Sequence, residues 1–250
     1  MPTTPLARLA VQALGPAMAA LLLGCASSAP TDRGQVQGAS ASRDELVQSE
    51  LNRAATLAMH DNLQSLMLLA DKLYRRNPAQ WRAGGATDRE QALQRIQSAI
   101  DLRQAWAPLG GRRDIDAMAY AMSPAFTGDR VAALVLATVD MLITAHGGRT
   151  TFHLLDGIDA QHIHNAARNI EIAAWILSER RDAQNRPLLL ANELSADGGT
   201  RNLSFEREFG KIIARLDLLA ELSDERMRRA AINYVQSLLG AGLLQFLPVR

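Results

Sequence analysis

Apolar residues return every three or four positions along most of this chain, and that spacing admits helices and little else. Ile163, Ala167, Ile170, Ala174 and Leu177 form one such stripe, and Phe205, Phe209, Ile212, Leu216 and Leu219 form another at 4-3-4-3. Each places its apolar side chains on one face of a 3.6-residue period, whereas a half-buried strand would alternate at two. Runs of alternating β-branched residues are almost missing, so the expected class is all-α: one domain of about seven helices. With 48% hydrophobic residues the chain can bury a sizeable core, and a single cysteine excludes a disulfide scaffold. Lys and Arg number 27 against 26 Asp and Glu, which leaves no basic excess to neutralise phosphates, so no nucleic-acid partner is expected.

Helix starts and stops follow from caps and breakers. Ser42 with Glu45 has capping-box spacing and opens a first helix near 44, carrying Val47, Leu51, Ala54 and Ala58. A second, over 62–76, stops before Pro78, and the two are expected to form a hairpin with Trp81 in the connection beyond it. Thr87 with Glu90 caps a helix running toward Trp106; Pro108 and Gly110-Gly111 stop it. A short helix is expected over 115–122 and a strongly apolar one over 129–146, closed by Gly147-Gly148. Residues 151–155 fit a short strand or an extended linker. Asp159 caps a helix over 160–181, Ser204 or Asn202 starts the next, and Ser223 caps a last one carrying Met227, Ala231, Tyr234 and Leu238. The closing LLQFLPV is expected to fold back onto the body. The hairpin ending in Asn77-Pro78 looks faintly like one tetratricopeptide unit, but no 34-residue period recurs.

The amino terminus is of another kind. Arg8 is the one charge in residues 1–24, and an apolar run from Leu9 to Leu23 follows it, too short to span a membrane and suited to a secretory signal. The run ends in Leu22-Leu23-Gly24-Cys25, which resembles the lipobox of bacterial lipoprotein precursors, with Leu23 where the family more often has a smaller residue. The resemblance implies cleavage before Cys25, a diacylglycerol on its sulfur and an acylated amino group, palmitate among the fatty acids. This covalent lipid is the only cofactor expected. Ala26 and Ser27, rather than Asp, follow the cysteine, which by the same resemblance implies the outer membrane with the body facing the periplasm, the inner membrane being the alternative. Residues 26–43 hold Val36 as their one large aliphatic and no aromatic side chain, so they read as a flexible tether with an end-to-end reach of about 20–25 Å. The expected organisation is therefore a signal over 1–24, lipidated Cys25 and linker over 25–43, and a helical domain over 44–250. Loss of Arg8 with the signal leaves 26 basic and 26 acidic side chains, so no polybasic patch assists the anchor. GDRVAAL at 128–134 and NAARNIEIAAW at 165–175 resemble uncharacterised helical proteobacterial lipoproteins, a likeness that carries no activity.

Candidate chemistry is sparse. His146, His153, His162 and His164 cluster with Asp156 and Asp159, yet His162 and His164 stand two apart and diverge by about 200° on a helix, so no metal site is assigned. Asp159 reads as a cap and Asp156 as a turn former. Asn165, Arg168, Asn169 and Glu171 form a polar set in an apolar helix, and read as a network tying that helix to its neighbours or as the lining of a pocket. Asp140 shares a small or polar face with Arg130, Ala133, Ala137 and Thr144 and is expected to mark the solvent side. Glu193, Glu206 and Glu208 read as surface charges. No catalytic residue is assigned, because GxSxG, HExxH, GxxxxGK[ST] and CxxC are all lacking. Three functions follow as expectations. The first is a non-catalytic docking or scaffold domain, held at the membrane by its lipid and partnered by an envelope protein. The second is a small-molecule or lipid-binding module built on the helices between 129 and 222. The third is an envelope hydrolase or metalloprotein using the histidine cluster.

Overall fold

The computed structural model describes residues 47–192 and 202–244, with side chains to 238, all within the unit Arg43–Arg250. Seven α-helices are present among them: α1 Glu50–Arg76, α2 Pro78–Ala83, α3 Arg89–Asp101, α4 Asp114–Ala121, α5 Arg130–Ala145, α6 Ala160–Glu179 and α7 Ser204–Leu244. The all-α expectation holds. No strand forms among the described residues, and 151–155 is irregular chain whose Phe152 is fully buried.

α5 is the axis. Every residue from Val131 to Val139 is buried, so the helix has no solvent face there and is enclosed by α1, α2, α3, α4 and α6. Asp129 caps its start by accepting from the Val131 and Ala132 amides at 3.0 Å each. Its end is a Schellman turn: Gly147 N–H donates to Thr144 O and Gly148 N–H to Ile143 O, with both glycines at positive φ. The first half of α7 runs antiparallel to α1 and α6. Lys72 Nζ reaches Ser204 O (2.7 Å), Arg215 Nη1 reaches Asn62 Oδ1 (3.3 Å), and Ser223 Oγ donates to Ile158 O (3.2 Å).

Several boundaries differ from the sequence reading. Instead of a hairpin, α1 is one helix of 27 residues: Met59-His60-Asp61 contains no breaker, and Asn62 is buried rather than capping. Its described start is capped by Ser49, while Ser42 and Glu45 lie outside the described residues. Trp81 belongs to α2, where Pro78 takes a first-turn position. α3 is capped by Asp88, one residue after Thr87, and it ends at Asp101 in a second Schellman turn that puts Arg103, not glycine, at φ 50. Ser223 caps nothing, since α7 continues through it. The packing expected of LLQFLPV falls beyond the last described side chain.

Candidate functional site

Cys25 and its lipobox lie outside the described residues, as does Glu193. The set Asn165, Arg168, Asn169 and Glu171 is parted by helical geometry, because 165 and 169 project on one side of α6 and 168 and 171 on another. Arg168 donates to both carboxylate oxygens of Asp217 on α7 (2.7 and 2.9 Å) and reaches Glu171 at 3.2 Å, so this pair works as a tie between helices. Asn165 accepts from Gln161 and, with Asn169 and His162, borders an open cleft against the start of α4.

The histidines do not converge, and no group of three or more His, Cys, Asp or Glu among the described residues is placed to hold a metal ion. His146 is buried against Phe152 and its Nδ1 donates to Leu142 O at 2.7 Å, so Nε2 is a bare, unpartnered lone pair. A second proton would sit there without an acceptor, and burial accordingly holds this imidazole below its usual range. His162 is exposed, and His164 lies 3.9 Å from Asp217.

The face that Asp140 shares is split: Ala133 and Ala137 are buried, while Asp140 itself is 40% exposed at the surface, its carboxylate gripped by Arg113 at 2.7 and 3.0 Å. Glu208 is no surface charge, its side chain being 8% exposed and paired with Lys211 at 2.9 Å. Sequence reasoning also missed a buried pair. Tyr74 donates its hydroxyl to Asp129 Oδ2 at 2.6 Å, joining α1 to the start of α5. Burial raises the Asp129 carboxyl above the ordinary range against the pull of that hydrogen bond and its amide donors, and burial beside Asp129 raises the Tyr74 phenol. Gly84 lies against the pair, where an added Cβ would stand 2.9 Å from Asp129 Oδ2. No period or motif marks these contacts, since their residues are 55 apart in the chain.

Two surfaces stand out among the described residues. One is a cavity of about 470 Å³ between α3, the 102–113 loop and α5. The other is the second half of α7. From Asp224 to Leu238 every side chain is exposed save Glu225, which is half-buried, yet Met227, Tyr234 and Leu238 continue the apolar spacing of the first half. Fifteen residues at about 1.5 Å each extend this face roughly 22 Å past Ser223. Glu225 binds Arg228 and Arg229 (2.7 and 2.8 Å), which holds its carboxyl down to about 2. No family model matches the chain, and neither a curated protein nor a solved structure matches it.

Proposed function

We propose that this chain is a lipid-anchored envelope lipoprotein, tethered through Cys25 to the outer membrane, whose helical body is a non-catalytic docking domain for another envelope protein. The observation that supports docking is the second half of α7. Met227, Tyr234 and Leu238 are between 56% and 71% exposed, and Val235 adds to them. Leaving such a row in water forgoes about 25 cal/mol for each Å² of apolar surface, so a helix that carries it past its own core is suited to a partner. The lipobox resemblance of Leu22-Leu23-Gly24-Cys25 supports the anchor, and the tether over 26–43 gives the body reach from the membrane. Ala26 and Ser27 support the outer membrane over the inner.

The test places a photo-crosslinking amino acid at Tyr234 and, as control, at exposed Leu102, in cells carrying the native chain or Cys25→Ala. The expected outcome is one envelope protein captured from 234, absent from 102, and reduced in Cys25→Ala. Equal capture from both positions, or none from 234, would refute the docking assignment. Metabolic labelling with a palmitate analogue that leaves the chain unlabelled at Cys25 would refute the anchor.

A further inference from the structure

The cavity between α3 and α5 has the features of a ligand site that the docking reading does not use. Its apolar wall is supplied by Ala99 and Ile100 of α3, Trp106 and Leu109 of the loop, and Val139 and Ile143 of α5. About 470 Å³ lies within the range of small-molecule pockets. Backbone strain brackets the loop: Arg103 at φ 50 and Asp114 at φ 51 adopt a left-handed conformation that costs a side-chain-bearing residue stability, and they stand at its two ends.

The charges lining the cavity give the sign of its occupant. Arg103, Arg112 and Arg113 face a single acid, Asp140, a formal excess of two positive charges. Two of these cations are committed. Arg113 grips Asp140 with two nitrogens, and Arg103 donates to Gly148 O and Thr150 Oγ1 across the end of α5. Arg112 is held differently. Its guanidinium lies 3.9 Å over the Tyr120 ring and donates to Leu109 O at 3.3 Å, with no described carboxylate in ion-pair range. It is thus fixed in place with donors to spare beside an apolar chamber, which suits bidentate recognition of a carboxylate.

We propose that this cavity binds a small amphipathic carboxylate, its apolar body against Trp106, Val139 and Ile143 and its anionic end on Arg112. The ligand is held by burial of its chain and by one charge-assisted contact, so affinity should depend on both chain and head group.

The test titrates octanoate, octan-1-ol and octylammonium, which share one chain and differ in charge, into the full chain carrying Cys25→Ala so that no acyl group competes. Calorimetry and tryptophan emission are read together. Octanoate is expected to bind at least tenfold tighter than octan-1-ol, with octylammonium weakest, and to produce a change in emission that is lost in Trp106→Phe, since Trp81 and Trp175 do not line the cavity. Arg112→Gln should remove the preference for octanoate and leave octan-1-ol unchanged, and Arg112→Lys should restore part of it. Ala105→Trp, at an exposed loop position lining the cavity, should weaken both ligands. The proposal is overturned if octan-1-ol or octylammonium binds as tightly as octanoate, if no probe binds, if Arg112→Gln leaves the preference intact, or if Ala105→Trp melts like the parent and binds octanoate unchanged.

Discussion

The two halves of α7 carry the same kind of apolar stripe and meet opposite fates. Over 204–223, Phe205, Phe209, Ile212, Leu216 and Leu219 are at most 4% exposed, covered by α1 and α6. Over 224–238, Met227, Tyr234 and Leu238 stand in solvent. The helix is continuous between them, so the difference lies in what surrounds it. A 4-3 spacing states that a face exists to be covered; whether the same domain covers it depends on where α1 begins and where the loop around Ile158 crosses.

That contrast can be broken by mutation. Phe205→Ala is expected to cost about 3–5 kcal/mol in urea denaturation, because the ring is fully buried and leaves a cavity. A cost below 1 kcal/mol would mean the first half is as loosely held as the second. Asp129→Ala removes the α5 cap and leaves the Tyr74 hydroxyl buried without its acceptor, together about 2–3 kcal/mol; Tyr74→Phe should cost less than Asp129→Ala, since it spares the cap. Equal losses would assign the whole effect to the buried pair.

The packed body and the second half of α7 should also part in acid. His146 is held below its usual range in the fold, so the unfolded chain takes up the proton more readily. Its contribution is complete above about 6.5 and lost as pH falls below that, by at most about 1.4 kcal/mol per pH unit. His146→Leu should flatten stability between pH 7 and 5, and an unchanged slope would place the titration elsewhere. Glu225 acts in the same sense but in a lower window: its depressed carboxyl stabilises the helix above the ordinary Glu range and loses this only as pH falls toward about 2. Amide exchange over 224–238 should therefore stay the same from pH 7 to 5, after correction for intrinsic rates, while the body loosens. The smallest effect is expected from Tyr234→Ala, within about 0.5 kcal/mol, since its side chain is 66% exposed. A cost near that of Phe205→Ala would show that the second half is packed after all.

Much of the fold was legible because its signals are local. Asp159 caps the helix it was expected to cap, the apolar helix α5 begins beside Asp129 where it was expected to, and Gly147-Gly148 closes it where two left-handed residues are needed. Where local signals were weak or shared, the reading slipped. Ser223 looks like a cap but spends its hydroxyl on Ile158 O, and Thr87 yields to Asp88 by one residue because both are good caps. The polar set on α6 was visible as a set, but its division was not: Arg168 turns to Asp217, 49 residues away, and the sequence carries no sign of that distance being closed. The partner of Asp140 was hidden for the same reason, since Arg113 comes from the loop before α4.

The all-α class, most helix ends and the near-neutral charge balance follow from periods, caps and counts within a few residues of one another, where backbone sterics and local hydrogen bonds dominate. The Tyr74 and Asp129 pair, the cavity beside Trp106 and the bare half of α7 arise only when segments 30 to 150 residues apart are brought together. Burial, desolvation and charge pairing act through space rather than along the chain, so they are set by packing, which no window of the sequence contains.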